Sequence, residues 1–311
     1  MLGNRLVKNS TIGLVSPAGP LKYEDIQESV EFLKKLGFNV KGGKHIYDKW
    51  GYLAGKDEDR AQDLMDMFLD TTVDMILCVR GGYGTMRILP LIDFNIIKNN
   101  PKIFAGFSDI TTLINNIYQK CGIITFHSPM CNSNFQDKIT LESFLNVLTY
   151  GYKPFTIKNP EEKSCNYFIN SNYFNEPSAN GILVGGNLSL LSSTIGTPYE
   201  IDTRNKILFI EDISEDPYKI DRMMTQLILS GKIKACNGII LGQFHNCTLP
   251  NYNRSLTLDE VLEDRILSFN KPTIVNFQCG HSYPRLTLPI GANVKMDCVN
   301  QTIHVLEPVV K

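Results

Sequence analysis

The chain has 311 residues, of which 43% are hydrophobic and 20% are charged, and its formal net charge is −1. This composition is that of an ordinary globular protein, and the near-zero charge gives no reason to expect nucleic acid or an anionic membrane as a partner. The start of the chain has no continuous apolar segment and no run of about 18 apolar residues occurs, so we expect neither a secretion signal nor a membrane span. The eight cysteines include no C-x-x-C pair, which favours reduced thiols in the cytoplasm over a disulfide framework or a zinc site.

The first half of the chain alternates between strand-like and helix-like segments. Short apolar runs typical of buried strands occur at residues 11–17, 38–40, 75–79, 103–105 and 123–126. Between them, apolar residues recur at helical spacing. This alternation predicts a parallel sheet with helices on both faces. In such sheets ligands bind beyond the carboxyl ends of the strands, which is where the sequence places Ser16, the loop that begins at Arg80, and Ser108.

Residues 151–180 are polar, rich in asparagine and interrupted by prolines, so we predict a linker there. This linker would separate a first domain, residues 1–150, from a second domain, residues 181–311. The second domain has strand-like runs at residues 182–184, 206–210, 238–241 and 273–277, and an alternating tail from Leu286. The predicted fold class is therefore α/β with two domains.

Ser108 lies at the predicted turn between a strand and a helix. A serine there projects its hydroxyl out of the sheet, beside N–H groups and the positive end of the helix dipole. That is the geometry of a nucleophile elbow. The elbow pattern G-x-S-x-G requires glycine two residues after the serine, where this chain has Ile110. The alternative is that Ser108 is only an N-cap, and the local residues taken alone favour it.

A carboxylate and a histidine in the second domain complete a candidate catalytic set. Glu211 directly follows four apolar residues, so its carboxylate should be partly buried and should need a partner such as a histidine N–H. His281 follows a strand and a glycine, whereas His127 lies at a strand end in the first domain. The residues alone favour His281 over His127 by a small margin, and a structural role is the alternative for either histidine.

Several motifs resemble those of the LD-carboxypeptidase family of serine peptidases, which includes muropeptide-recycling carboxypeptidases and microcin C immunity peptidases. They occur in the family's order and cover nearly the whole chain: S-P-A-G-P at 16–20, Y-L-A-G-K-D-E-D-R-A-Q-D-L at 52–64, V-R-G-G-Y-G at 79–84, A-G-F-S-D at 105–109, G-G-N-L at 185–188, F-I-E-D-I-S-E-D-P-Y-K-I-D-R-M at 209–223, I-I-L-G-Q-F at 239–244, and G-H at 280–281 followed by L-P-I-G-A. The resemblance implies a flavodoxin-like first domain, a smaller β-rich α/β second domain, and an active site at their interface.

The resemblance also implies a role for each site residue. Ser108 matches the nucleophile, His281 the general base, and Glu211 the residue that orients the histidine. Backbone N–H groups of Gly82 and Asp109 would bind the oxyanion. No H-x-x-x-H or Cys/His cluster suggests a metal, so we expect neither a metal nor another cofactor.

A carboxypeptidase must also bind a free carboxylate next to the bond that it cleaves. Arg80 and Arg285 are candidates because a guanidinium binds carboxylates in a bidentate manner. A structural ion pair is the alternative for each arginine. Asn187 is a candidate for hydrogen bonding to the substrate backbone, and a role confined to a turn is equally compatible with its position.

The sequence is compatible with three functions. The first is a cytoplasmic LD-carboxypeptidase that removes the terminal D-alanine from murein tetrapeptides during cell-wall recycling. The second is an immunity-type peptidase that cleaves an aminoacyl- or peptidyl-nucleotide amide. Relatives of that type are expected to stack the base on a tryptophan ahead of G-G-N, where this chain offers Tyr167 and Tyr173, its only tryptophan being Trp50. The third is a non-catalytic two-domain binder of small ligands. The resemblance also raises a homodimer as an assembly state.

Overall fold

The chain forms two compact units in the computed structural model, which describes residues 1–161 and 177–311. Unit 1 comprises Met1–Lys153, Thr287–Gly291 and Pro308–Lys311. Unit 2 comprises Pro154–Leu286 and Ala292–Glu307. The predicted α/β class with two domains is confirmed.

The strands of the described residues, in chain order, are β1 (Thr11–Val15), β2 (Asn39–Gly42), β3 (Met75–Cys78), β4 (Ile103–Gly106), β5 (Thr125–His127), β6 (Phe155–Lys158), β7 (Ser178–Asn187), β8 (Lys206–Ile213), β9 (Gly238–His245), β10 (Thr273–Ile274), β11 (Leu288–Ile290), β12 (Asn293–Asp297) and β13 (Thr302–Val305).

The α-helices of the described residues are α1 (Gln27–Lys35), α2 (Asp57–Leu69), α3 (Thr85–Ile88), α4 (Phe94–Asn99), α5 (Thr111–Cys121), α6 (Lys138–Tyr150), α7 (Leu188–Ser193), α8 (Pro217–Leu229), α9 (Lys232–Ala235) and α10 (Leu258–Leu267). Short 3₁₀ helices cover Tyr23–Asp25, Leu89–Leu91 and Ser108–Ile110.

The sheet of unit 1 has the strand order β11-β5-β4-β3-β1-β2. Strands β1 to β5 run parallel, and β11 pairs antiparallel with β5. The parallel part has the order 2-1-3-4-5 of flavodoxin-like sheets. Every residue of β3 and β4 is buried, which requires cover on both faces of the sheet. The carboxyl ends of β3 and β4 lead into the glycine-rich loop and the serine turn.

Two helices of unit 1 illustrate how the local sequence determines these elements. α2 begins with three acidic residues, which interact favourably with the positive end of the helix dipole. It buries the apolar face that includes Leu64 and Phe68. α5 ends at Cys121 and is capped by Gly122, whose φ of +68° is the left-handed conformation that closes a helix.

The sheet of unit 2 has the strand order β10-β9-β8-β7-β12-β13-β6. Strands β7 to β10 run parallel, and β12, β13 and β6 continue the sheet in antiparallel pairing. β8 is a central strand, buried from Ile207 to Asp212. Its register with β9 shifts between Ile210 and Asp212, so Glu211 lies at a β-bulge. Bulges next to active sites turn a side chain in a new direction.

The units differ from the predicted domain limits in three places: the predicted linker, Thr287–Gly291 and Pro308–Lys311, and the last two segments belong to unit 1. The predicted linker, residues 151–180, contains β6 and the start of β7, while Tyr167 and Tyr173 lie outside the described residues. β6 is a four-residue edge strand between polar, proline-containing segments, which gives little strand signal. The predicted second domain also loses β11 to unit 1, because an apolar run of three residues does not reveal which sheet it will join.

No helix among residues 1–161 and 177–311 combines the length and apolar character needed to cross a bilayer.

Candidate active site

Ser108 occupies a sharp turn between β4 and α5. β4 ends at Gly106, and Ser108 is the first residue of the short 3₁₀ helix that leads into α5. Its φ is +64°, in the left-handed region that residues with a side chain rarely adopt. A strained serine between a strand and a helix is the backbone geometry of a nucleophile elbow. The N-cap interpretation is wrong, because Phe107 and Ile110 are the cap residues of the two helices and neither helix has a side-chain cap.

Ile110 stands where the elbow pattern has a second glycine, and packing explains this departure. A Cβ atom on Gly106 would lie 2.9 Å from Cγ2 of Ile110 and 3.1 Å from Cβ of Cys78. The first glycine of the pattern is therefore kept, and Ile110 packs over it. The turn retains its shape without the second glycine.

The serine turn packs against the glycine loop, which is residues 80–84. A Cβ atom on Gly81 would lie 2.9 Å from Cβ and 3.0 Å from Oγ of Ser108, so only glycine fits there. Gly82 has a φ of +120°, which also favours glycine. Within the described part of unit 1, neither Gly82 N–H nor Asp109 N–H donates a hydrogen bond to the protein. These two loops therefore each present a backbone N–H group that has no protein acceptor among the described residues.

The side chain of Asp109 ties the serine turn to the glycine loop. Its Oδ2 accepts a hydrogen bond of 2.8 Å from Thr85 N–H, and the Thr85 hydroxyl donates to Asp109 O at 2.5 Å. Asp109 is 1% exposed. Burial raises the pKa of its carboxyl to about 6, although hydrogen bonds from Thr85 and the charge of Arg60 act in the opposite direction. The carboxylate therefore fixes the distance between the two loops.

Arg60 is a buried guanidinium that holds the far end of the glycine loop. Its Nη1 donates to Pro17 O and to Gly84 O, the latter at 3.0 Å, and its Nη2 pairs with Asp57. Burial lowers the pKa of Arg60 below its usual value. In the sequence, Asp57 and Arg60 lie three residues apart at the start of a helix, a spacing that is typical of an exposed ion pair. Nothing in the neighbouring residues therefore indicates that Arg60 is buried.

Arg80, a candidate for binding the substrate carboxylate, is half-buried at the start of the glycine loop. Its Nη1 donates to Pro20 O at 3.1 Å, and its buried Nε has no hydrogen-bond partner among the described residues. No carboxylate within the described ranges pairs with it. The structural ion pair that was the alternative for Arg80 is therefore not formed there.

Glu211 and His281 are brought together in unit 2. Oε2 of Glu211 lies 2.6 Å from Nδ1 of His281, and the Glu211 side chain is fully buried while that of His281 is 11% exposed. Gly280 has a φ of +146°, and a Cβ atom on it would lie 3.0 Å from Oε2 of Glu211. The glycine before the histidine thus leaves the space that the carboxylate occupies. A carboxylate on Nδ1 fixes the imidazole tautomer whose Nε2 can accept a proton.

Asn187, the candidate for binding the substrate backbone, is engaged within unit 2. Its Nδ2 donates to Asp212 Oδ1 at 2.9 Å, and its Oδ1 accepts from Leu190 N–H at 3.3 Å, which caps α7. Asp212 also accepts hydrogen bonds from the N–H and hydroxyl of Ser189. Burial, followed by the nearby charge of Glu211, raises the pKa of Asp212 to about 6. These contacts are those of the turn role that was the alternative for Asn187.

Arg285, the other arginine candidate, contacts the loop that carries His281. Its Nε donates to Gly280 O at 2.6 Å and its Nη2 to His281 O at 3.1 Å. The guanidinium carbon lies 4.8 Å from the centre of the Tyr283 ring. Arg285 is 4% exposed, and burial lowers its pKa. These contacts brace the backbone on both sides of the histidine.

The other four histidines occupy different settings. His127 is fully buried in β5, where it pairs with Gly106 and its ring centre lies 5.8 Å from that of Phe107. Nδ1 of His245 lies 2.6 Å from the hydroxyl of Ser282. His304 lies beside Thr156, and His45 beside Asp48 and Asp59. This last trio is the one cluster of three potential metal ligands in the described chain, and each imidazole nitrogen there faces a different carboxylate.

Comparison with known proteins places both units in one family. The family model described as the LD-carboxypeptidase N-terminal domain matches residues 12–128, and the model described as its C-terminal domain matches residues 180–296. A Bacillus subtilis protein named probable murein peptide carboxypeptidase is 43% identical over 300 residues, covering 96% of this chain and 92% of the relative.

Two solved structures are similar over nearly the full length. The muramoyltetrapeptide carboxypeptidase from Oxalobacter formigenes has a TM-score of 0.83 and 28% identity, covering 96% of this chain and all of that chain. The microcin C7 self-immunity protein in complex with aspartyl sulfamoyl adenosine has a TM-score of 0.89 and 29% identity, covering 100% of both chains. The chain therefore belongs to the LD-carboxypeptidase family.

Proposed function

We propose that this protein is a serine-type LD-carboxypeptidase that hydrolyses the amide before the terminal D-alanine of murein tetrapeptides. The observation that carries the proposal is the 2.6 Å contact between the fully buried carboxylate of Glu211 and Nδ1 of His281. The left-handed backbone of Ser108 supports it from unit 1. The 43% identity to a relative named as a probable murein peptide carboxypeptidase supports the substrate class.

In the proposed mechanism, Ser108 Oγ attacks the carbonyl carbon and Nε2 of His281 takes the hydroxyl proton. Glu211 keeps Nδ1 protonated and stabilises the imidazolium that forms. The proposal requires Ser108 Oγ and Nε2 of His281 to come within about 3 Å of each other when substrate is bound. His281 then gives the proton to the leaving amine of D-alanine, and water hydrolyses the acyl-enzyme by the same sequence of proton transfers.

The two free N–H groups of Gly82 and Asp109 are the proposed oxyanion hole. The negative oxygen of the tetrahedral intermediate would accept a hydrogen bond from each. Loss of one such donor typically raises the barrier by about 3 kcal/mol. The mechanism uses no metal or other cofactor.

Arg80 is the proposed ligand of the substrate's terminal carboxylate. Only its Nη1 is engaged by the protein in the described residues, whereas Arg285 is committed to two loop carbonyls. A guanidinium with unused N–H groups can bind a carboxylate in a bidentate manner. We therefore assign Arg80 to substrate and Arg285 to the loop.

The second candidate function is cleavage of an amide between an aminoacyl or peptidyl group and a nucleotide. The similarity to the microcin C7 self-immunity protein, with a TM-score of 0.89, favours it. Trp50, the only tryptophan, lies in unit 1 on an exposed turn, far in sequence from the G-G-N motif where a base-stacking residue is expected. The non-catalytic binder is the third candidate, and the Glu211–His281 pair counts against it.

A mass-spectrometric assay separates these candidates. A murein tetrapeptide and an aminoacyl nucleotide are each incubated with the protein and with its Ser108→Ala variant. We expect D-alanine release from the tetrapeptide by the native protein and none by the variant. Cleavage of the nucleotide alone would favour the second candidate, and cleavage of neither substrate would contradict the enzymatic proposal.

We also propose that the protein acts in the cytoplasm. Seven cysteines of the described residues are free thiols, and six of these are buried. Free thiols are typical of a reducing compartment. A homodimer stays a prediction that sedimentation velocity tests.

A further inference from the structure

The loop that carries His281, residues 279–285, needs support from outside itself. It contains neither helix nor strand, yet its imidazole makes a 2.6 Å contact with Glu211. A catalytic side chain on a loop keeps its orientation only if neighbouring groups fix the loop. Arg285 holds two of the loop's carbonyls from within. The support from outside comes from Gln243 near the end of β9.

Gln243 contacts the chain on both sides of the histidine. Its backbone N–H donates to Cys279 O at 3.0 Å. Its side-chain Oε1 accepts from Ser282 N–H at 2.9 Å, and its Nε2 donates to Pro284 O at 3.1 Å and to Oε1 of Gln278 at 3.3 Å. One side chain on a central strand therefore fixes two backbone groups of the loop.

The chemistry of these contacts requires an amide. Ser282 N–H needs an acceptor and Pro284 O needs a donor, and a glutamine offers both from one planar group. Gln243 is 1% exposed, so water cannot replace a lost partner. An ionised glutamate would offer only acceptors, and a methionine would offer neither strong acceptor nor donor.

Gln243 is also adjacent to the Glu211–His281 pair. A Cβ atom on Gly280 would lie 3.0 Å from both Cβ of Gln243 and Oε2 of Glu211. The charged and titratable groups around this position are Glu211, His281, His245 and Arg285, with the thiol of Cys279 and the phenol of Tyr283.

We propose that Gln243 is a positioning residue for His281. Its amide holds the loop so that the imidazole stays aligned with Glu211 and presents Nε2 in a fixed direction. Gln243 itself touches neither substrate nor a reacting atom in this scheme. The inference deepens the proposed function and rests on it.

Two substitutions of nearly equal size test the role of the amide. Gln243→Met removes the donor and the acceptor while keeping the volume. We expect its kcat for D-alanine release to fall about 100-fold with little change in KM, because small displacements of a catalytic group have effects of that order. The second substitution, Gln243→Glu, adds a charge. Its control is Gln226→Glu, at an exposed position of α8, which should behave as the native protein.

Gln243→Glu gives a signature that a general loss of stability would not produce. Burial raises the pKa of a glutamate, so this glutamate is neutral at lower pH, and the nearby guanidinium of Arg285 is already hydrogen-bonded to Gly280 O and His281 O. The neutral acid again donates to Pro284 O and accepts from Ser282 N–H. We therefore expect the kcat of Gln243→Glu, divided by that of the native protein, to rise at least tenfold as the pH falls from 8 to 6.

The outcomes of this test are distinct from those of the function assay. Kcat values of both Gln243 variants within threefold of native, or a flat ratio for Gln243→Glu, would overturn the inference. If the native protein releases no D-alanine, the proposed function fails. The positioning role is then decided by the NMR signal of the His281 Nδ1 proton, which should be lost in Gln243→Met and kept in Gln226→Glu. Retention of that signal in Gln243→Met would overturn the inference.

Discussion

Asp109 combines a backbone role and a side-chain role in a single residue. Its N–H is one of the two donors proposed for the oxyanion, and its carboxylate accepts from Thr85 N–H at 2.8 Å. The carboxylate is nearly fully buried, and its pKa rises from an ordinary 3.8 to about 6. Ionisation of this buried carboxyl therefore lowers the free energy of unfolding.

The variant Asp109→Asn tests this cost. Because the folded-state pKa lies above the ordinary value, the stabilisation from the protonated carboxyl is complete below pH 3.8 and is lost as the pH rises through about 6. Asparagine is neutral at every pH and can still accept from Thr85. The free energy of unfolding of the variant, relative to the native protein, should increase by about 1 to 2 kcal/mol between pH 5 and pH 8. Urea denaturation at the two pH values measures it, and an equal difference at both would contradict the buried ionised carboxylate.

The backbone conformation of Ser108 and the burial of Arg60 were not predictable from the local sequence, because both depend on packing against distant residues. The strand, turn and helix around Ser108 follow from local patterning. The left-handed φ of +64° at Ser108 does not follow from local patterning, because the sequence has Ile110 where the elbow pattern has its second glycine. In the structure Ile110 packs over Gly106. The burial of Arg60 could not be predicted from its neighbours either, since the carbonyls that it binds lie 24 and 43 residues away.

At the scale of elements, both ends of the proposed chemistry depend on glycines that make room for a neighbour. Gly81 admits the side chain of Ser108, and Gly280 admits the carboxylate of Glu211. Each lies in a loop at the carboxyl end of a strand, where the fold brings functional groups together.

Replacing Gly280 by alanine should abolish most activity. The new Cβ would lie 3.0 Å from Oε2 of Glu211, and the φ of +146° is itself unfavourable for alanine. We expect kcat to fall by about 100-fold because the histidine must shift. Gly196→Ala is the matched control, since its φ is +84° and no atom lies within 4 Å of the added Cβ. If the two variants had equal kcat values, the contact with Glu211 would not be the cause.

The elements most open to prediction were those with long, regular patterns. The alternation of apolar runs with helical segments predicts the parallel sheet of β1 to β5. The apolar run at 206–210 predicts a strand that ends at Glu211, whereas β8 continues to Ile213 and Glu211 lies at a bulge within it. β6 was missed because it is a short edge strand inside the predicted linker. β11 lies in the alternating tail predicted from Leu286, but it joins the sheet of unit 1, since its partner β5 is distant in sequence. The hydrogen bonds of the Gln243 side chain could not be predicted from the local sequence, because their partners lie 35 to 41 residues along the chain.

At the scale of the whole molecule, unit 1 is completed by the end of the chain. Val309 and Val310 are fully buried, and Lys311 O accepts from Arg5 N–H at 2.8 Å. β11 likewise adds a strand to the sheet of unit 1. The first 153 residues therefore lack part of the unit's core and of its sheet.

Deleting residues 308–311 should destabilise unit 1. Removing two buried valines lowers the free energy of unfolding by about 3 to 6 kcal/mol, at about 1.5 to 3 kcal/mol for each. Trp50 is the only tryptophan and lies in unit 1, so its fluorescence reports on unit 1 in a urea titration. Lys311→Ala, which alters only an exposed side chain, is the control. An unchanged midpoint for the deletion would contradict the assignment of this segment to the core of unit 1.

The central claim is that His281, with Glu211 behind it, activates the hydroxyl of Ser108 although the residues belong to different units. The rate at which a fluorophosphonate labels Ser108, followed by intact-protein mass spectrometry, measures this activation directly. We predict rapid single labelling of the native protein, none of Ser108→Ala, and rates lower by about 1,000-fold or more in His281→Ala and Glu211→Gln. Labelling of Ser108 at the native rate in His281→Ala would contradict the account.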